Sequence, residues 1–174
     1  AIYETPDLID LAAKKFGSQC IVASIDVKSV NNDYLCLSHS GSRNTDRNLV
    51  SLVKELEELT NTYLAELSDG RFTLQFIVVN DKLNVQVTDN ENIVDILALS
   101  SGELARVNTA TLLAIRKLMS SISKSRLNVL FLDEVTNVLD DAGREKLVEV
   151  LLKEELNTYV VSHGWTHPLL EKVE

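Results

Sequence analysis

Two acids, Asp133 and Glu134, close the apolar run Leu127-Asn128-Val129-Leu130-Phe131-Leu132, and a histidine, His163, follows a second run, Val160-Val161-Ser162. Upstream, Ser100-Ser101-Gly102-Glu103 opens a helical pattern. Adjacent acids at the end of a buried strand point in different directions, so one can hold a hard cation while the other works on a water molecule. Strand ends are also where open α/β sheets bind ligands. Ser100 and Glu103 have the spacing of a capping box, in which each satisfies the other's backbone donor. The same geometry presents free N–H groups, a hydroxyl and a glycine without a side chain, which suits a phosphate oxygen. Plainer readings stand beside these: two charges where a strand meets solvent, a cap that is only a cap, and an exposed histidine.

In their order and spacing these stretches, with Val135-Thr136-Asn137-Val138-Leu139-Asp140 after the acids, resemble the C-terminal half of the ATP-binding head of an ABC-type ATPase. They match its signature motif, Walker B strand, D-loop and switch histidine. The likeness is to heads split by a long coiled coil, as in the SMC family and the nuclease-associated ATPases of double-strand-break repair. The resemblance implies that Asp133 holds Mg²⁺ through water and that Glu134 orients or deprotonates the attacking water. It implies that Ser100, Ser101, Gly102 and Glu103 meet the γ-phosphate of ATP on an opposite head. Asn137 and Asp140 then line the interface between heads, and His163 senses the γ-phosphate. Three positions depart from the pattern: Ser101 stands where glycine is usual, Asn137 where serine is common, and Val135 where proline or a small residue is frequent.

No G-x-x-x-x-G-K-[ST] occurs, and Gly41-Ser42-Arg43-Asn44-Thr45 is not a disguised one, so the chain has no loop to cradle the α- and β-phosphates. The expectation is a partial ATPase using ATP and Mg²⁺ whose productive site needs a P-loop-containing N-terminal half. By the same resemblance, the assembled complex is a dimer of heads acting on DNA in repair or recombination, with a nuclease subunit as a possible partner. A competing reading is a non-catalytic scaffold or interaction lobe.

The elements that must position these residues follow from the rest of the chain. Thr5 as N-cap, Pro6 after it, the apolar Leu8, Leu11 and Ala12, and Gly17 predict a helix. Residues 20–27 and 34–37 read as strands about a turn at Val30-Asn31-Asn32-Asp33, and residues 38–45 read as a polar loop and candidate boundary. Phe16-Gly17-Ser18-Gln19, the run from Ile21 to Lys28, His39-Ser40-Gly41 and Asn44-Thr45 resemble a piece of the (β/α)₈ cyclase subunit of imidazole glycerol phosphate synthase. In that family an acid at the position of Asp26 is catalytic at a strand's C-terminal end. The other strands and the phosphate loops of a barrel are missing, so the plainer reading of Asp26 is an acid ending a strand. A cyclase-related function is a third alternative, and the match fits a hybrid chain, a fusion or an N-terminal piece of borrowed ancestry.

Leu49, Leu52, Leu56, Leu59 and Tyr63 form a coiled-coil-like seam, either the root of a coiled coil or an amphipathic helix on a sheet. Phe72 to Val78 and Leu83 to Val87 alternate as a hairpin, and Leu104, Val107, Thr111, Ala114 and Leu118 give the next helix its core stripe. Residues 127–132 read as a central strand covered on both faces, and 158–162 as another strand of the same sheet. Asp140 or Asp141 caps the helix through Leu147, Val148 and Leu151. The fold class is therefore α/β: residues 47–174 as the C-terminal half of an ABC-type P-loop NTPase head with a β-hairpin, and residues 1–46 as a short α/β segment resembling part of a (β/α)₈ barrel.

With 174 residues, 45% of them hydrophobic, and a net charge of −9, the chain reads as a soluble, cytoplasmic globular protein without a signal peptide or membrane span. The acidity argues against strong DNA binding by this piece alone, since phosphate affinity comes from Lys and Arg. Cys20 and Cys36 lie in apolar runs with no C-x-x-C spacing and no nearby histidine pair, so they read as buried free thiols, with a disulfide as the alternative.

Overall fold

The computed structural model describes residues 26–31, 33–38, 41–79, 82–122, 128–154 and 156–173. The helix expected over residues 5–17 and the thiol of Cys20 lie outside them. The chain divides into two packed units, one made of residues 1–59 and 114–127, the other of residues 60–113 and 128–174.

In the first unit, β1 (Asp26–Val30), β2 (Asp33–Ser38) and β3 (Arg43–Asn48) form an antiparallel sheet in that order. Asn31 takes the left-handed backbone (φ 51°) that the tight β1–β2 connection requires and that asparagine tolerates. The loop expected over residues 38–45 is corrected here: after a turn at Gly41 and Ser42, the chain returns as β3. Its residues, RNTDRN, carry no apolar alternation, so no sequence pattern announces a strand. Backbone pairing to β2 holds it, with the Thr45 hydroxyl donating to the Cys36 carbonyl at 2.6 Å and a register shift between Leu35 and Leu37. Asp26 is paired with Leu37 and exposed; the strand runs on through Val30, so this acid does not end it.

Helix α1 (Leu49–Leu67) follows β3 directly. The core of the first unit is Cys36, Leu52 and Leu118, with Leu49, Leu56 and Leu59 packed around it. Leu118 comes from α2 (Ser101–Ile122). The seam of α1 is thus satisfied by a sheet residue and by another helix. Cys36 is a free thiol, and burial pushes its pKa up, away from reactivity.

In the second unit α1 ends at Leu67. Ser68 N–H and Gly70 N–H donate to Leu64 and Ala65 carbonyls, and Asp69 and Gly70 both have positive φ. The chain then enters β4 (Phe72–Val79), which pairs with β5 (Lys82–Asp89), which pairs with β6 (Asn92–Val94), all antiparallel. Phe72, Leu74 and Val87 are buried, as the alternation predicts. The Asn61 side chain of α1 acts as a partner for the edge of β4, accepting from Leu74 N–H at 2.7 Å and donating to Leu74 O at 2.8 Å. Such a device protects an exposed strand edge.

The last sheet pairs β7 (Val129–Asp133) with β8 (Asn157–Val161) in parallel, joined through α3 (Asp141–Lys153), as parallel strands require. Leu130 and Leu132 are buried, as are Leu147, Val148, Val150 and Leu151 of α3. Val129, Phe131, Tyr159 and Val161 are exposed, with the Phe131 and Tyr159 rings stacked at 5.0 Å. The expectation that β7 is covered on both faces is therefore corrected. A parallel strand buries both faces only with elements on both sides of its sheet.

Candidate functional site

The strand ends gather one group of predicted residues. Asp133 is the last residue of β7, opposite Val161 of β8, and is exposed. Glu134 leaves the strand with φ 55° and ψ 8°, a left-handed conformation uncommon for a residue with a side chain. Its N–H is fixed on the Val161 carbonyl at 3.0 Å, and its own carbonyl accepts from Asn137 N–H at 3.0 Å in the short 3₁₀ turn Val135–Asn137. This arrangement brings the Glu134 carboxylate to 3.1 Å from His163 Nε2. Both side chains are well exposed, which leaves them accessible to a ligand. Beyond His163 the loop is shaped by Gly164 (φ 77°) and by the Ser162 hydroxyl donating to the Trp165 carbonyl at 2.8 Å.

The second group lies at the start of α2. Ser100 N–H and the Ser100 hydroxyl donate to Glu103 Oε2 at 2.9 and 2.8 Å, and Glu103 N–H donates back to Ser100 Oγ at 3.3 Å. The capping box is therefore formed. These donors, with Arg71 beside them, hold the Glu103 carboxyl below the usual carboxylate range. Ser101 is exposed at the first helical position. A β-carbon on Gly102 would lie 2.8 Å from the Val138 carbonyl oxygen, so glycine is what lets α2 meet the segment after β7.

Asp140 caps α3: its Oδ1 accepts from Gly143 N–H at 2.9 Å and from Arg106 of α2 at 2.5 Å. The Gly143 N–H above all, together with Arg106, lowers its pKa. Arg144 donates to the Thr136 carbonyl at 2.8 Å, pinning the same segment, while Asn137 is exposed. The structure thus joins Glu134 to His163, Ser100 to Glu103, and the α2 start to Val138 and Asp140.

Sequence reading missed Arg71 and Arg106. Arg71 and Arg106 act on acids far along the chain, so no local spacing reveals them. His167, whose side chain is 8% exposed, bonds Glu145 at 3.1 Å and accepts from Leu169 N–H at 3.2 Å, a structural arrangement. Among the described residues no group of three or more His, Cys, Asp and Glu could hold a metal ion. The single exposed carboxylate of Asp133 fits the needs of Mg²⁺, a hard ion often held by one or two carboxylates with waters and phosphate oxygens. Among the described residues no helix is long and apolar enough to cross a membrane.

Comparison with known proteins finds two likenesses. The histidine biosynthesis protein family matches residues 1–65. The HisF subunit of imidazole glycerol phosphate synthase from Sulfolobus acidocaldarius is 46% identical over 59 residues, 34% of this chain and 24% of that protein. The probable exonuclease subunit 2 of Escherichia phage T5 is 48% identical over 122 residues, 70% of this chain and 20% of that protein. The chain therefore spans about a fifth to a quarter of the curated relatives it matches.

Solved structures give the fold. An SMC head bound to the C-winged helix domain of ScpA superposes with a TM-score of 0.53 at 18% identity, over 65% of this chain and 35% of that one. A structure described under ATP-driven dimerization and DNA-stimulated activation of SMC ATPases gives 0.55 at 19%, over 65% of this chain and 70% of that one. About two thirds of the chain thus has the α/β fold of an SMC ATPase head.

Proposed function

We propose that residues 47–174 are the C-terminal lobe of an ATP-hydrolysing ABC-type, SMC-like head that works in DNA repair or recombination. The observation that carries this reading is the parallel strand pair ending in Asp133, Glu134 and His163, with Glu134 turned by its left-handed backbone to 3.1 Å from His163. In this reading Asp133 holds Mg²⁺, Glu134 orients or deprotonates the attacking water, and His163 hydrogen-bonds the γ-phosphate and steadies the Glu134 carboxylate. When bound, Mg²⁺ offsets the charge that develops on the phosphate oxygens. Ser100, Ser101, Gly102 and Glu103 receive the phosphate of a second head, and Asn137 and Asp140 lie along the contact between heads.

Three features support the lobe being one half of a site. The sequence carries no P-loop. The β7–β8 sheet leaves Val129, Phe131, Tyr159 and Val161 exposed, a face suited to an apolar surface of the P-loop half. The chain also spans only 20% of the phage protein, leaving most of that protein outside the match. The kinship with a probable exonuclease subunit favours a nuclease partner and DNA reached through the assembled complex.

The test is Mg²⁺-ATP hydrolysis by this chain mixed with the P-loop half of the phage relative, beside Glu134→Gln. Loss of a positioned general base lowers the rate roughly 10²- to 10⁴-fold, while binding of the nucleotide persists. Equal rates for the two proteins would instead assign a nonhydrolytic interaction lobe.

A further inference from the structure

Arg71 sits three residues past Ser68, which directly follows α1, and it is bonded both to that end of α1 and to groups further along the chain. Its N–H donates to the Ser68 carbonyl at 3.1 Å, and its carbonyl accepts from Asn90 N–H at 3.1 Å. The next residue, Phe72, donates its N–H to the Ser68 hydroxyl at 3.2 Å, and that hydroxyl donates to the Leu64 carbonyl of α1 at 2.6 Å. The backbone of Arg71 is therefore bonded both to the end of α1 and to the residue that follows β5.

The side chain reaches groups further along the chain. Nε and Nη2 bind both oxygens of Asp89 at 2.8 and 2.6 Å, a bidentate pairing that fixes the plane of the guanidinium. The guanidinium carbon lies 4.5 Å above the Phe72 ring centroid. The remaining arm, Nη1, binds Glu103 Oε1 at 2.8 Å. The other oxygen of that carboxylate, Oε2, takes both the N–H and the hydroxyl of Ser100. Neutral hydrogen bonds thus tie the end of α1 to Arg71, and charge-assisted bonds continue from Arg71 through Glu103 to the Ser100 hydroxyl.

We infer that Arg71 is a positioning residue that transmits the placement of the end of α1 to Ser100, and so decides whether the Ser100 hydroxyl is held on Glu103 or released to an incoming anion. With Arg71 seated, Glu103 is oriented to accept the Ser100 proton, and that hydroxyl is committed within the chain. When the end of α1 shifts, Arg71 pulls on Oε1, Glu103 turns, and the Ser100 hydroxyl is freed. The coupling itself stands on this geometry. That the anion is a nucleotide γ-phosphate rests on the function proposed above.

The experiment is amide hydrogen exchange of Ser100 in the purified 174-residue chain, because Ser100 N–H donates to Glu103 and reports on the link without any nucleotide. Arg71→Ala is expected to speed exchange about threefold, the scale of a partly exposed charge-assisted network, with Arg71→Lys intermediate because it loses the bidentate fork. Ser68→Ala, at the far end, is expected to speed Ser100 exchange when Arg71 is present and to add nothing in the Arg71→Ala background. Melting curves confirm that each variant remains folded, and Asp89→Asn replaces any variant that does not. Unchanged Ser100 exchange in Ser68→Ala, or strict additivity in the double variant, overturns the proposal. The readout is independent of catalysis: if Glu134→Gln leaves hydrolysis unaltered while the exchange pattern holds, the ATPase reading fails and the coupling survives.

Discussion

At the start of α2 the polar groups of the candidate site are answered within the chain: Ser100 by Glu103, Glu103 by Arg71, Asp140 by Gly143 and Arg106, and the bare α-carbon of Gly102 by the Val138 carbonyl. At the ends of β7 and β8 the acids and His163 stand exposed, above a sheet with one uncovered apolar face. The first region is finished by residues this chain possesses. The second has its backbone in place, and its side chains stand open to solvent. Along β7 this contrast falls within a single strand, with Leu130 and Leu132 buried and Val129 and Phe131 exposed.

The largest effect separates the two faces of that strand. Leu132 is 2% exposed, and Leu132→Ala is expected to cost about 2–5 kcal/mol, through lost burial and the cavity left behind. Urea unfolding of the chain measures it. Gly102→Ala comes next. Its β-carbon would meet backbone oxygen at 2.8 Å, and backbone cannot rotate away as a side chain would. The expected cost is about 1–3 kcal/mol in the same measurement. A neutral result would mean that α2 and the residues after β7 are not as closely joined as their geometry shows.

The same contrast explains how much was legible in the sequence. The capping box, the β4–β5 hairpin, the Asn31 turn and the Asp140 cap all rest on periodicity or on residues within a few positions of each other. These local signals carried over into the structure. Strand β3 was not legible, because six polar residues form a strand only when β2 offers an edge. The open face of β7 was hidden for the opposite reason: an unbroken apolar run looks the same whether its second cover lies in the same molecule or another. The roles of Gly102 and Arg71 depend on partners 36 and 32 positions away, Val138 and Glu103, beyond any local pattern.

Asp140 sharpens the comparison through pH. Asp140→Ala removes the acceptor of Gly143 N–H and the partner of Arg106, and the loss of an N-cap costs about 1 kcal/mol near neutral pH. The folded state holds this carboxyl below its ordinary value, chiefly through the Gly143 N–H. Its stabilising effect is therefore complete above the unfolded carboxylate pKa of about 4 and disappears as pH falls through the lower folded value. The gap between wild type and Asp140→Ala in thermal unfolding should close below about pH 4. Asp140→Asn keeps an oxygen for the cap and should show a smaller loss with weaker pH dependence. A gap that stays constant down to acidic pH would remove the carboxylate from the account.

The smallest effect on the chain alone is expected at Phe131, and it is the most informative. Phe131 is 54% exposed and touches Tyr159 in a stacked pair, whereas Leu132 beside it is buried. Phe131→Ser should change unfolding of the isolated chain by less than about 1 kcal/mol, the scale of one solvent-facing aromatic contact. If this face is where the P-loop half packs, the same substitution removes a large apolar anchor from the centre of that contact. Association with the P-loop half, followed by sedimentation or titration calorimetry, should then weaken by about tenfold or more, as truncation of a buried aromatic does at protein interfaces. A variant that is as stable as wild type yet fails to associate assigns the open face of β7 and β8 to the missing half. A variant that associates normally places that half elsewhere, and leaves Glu134 and His163 to be completed from another side.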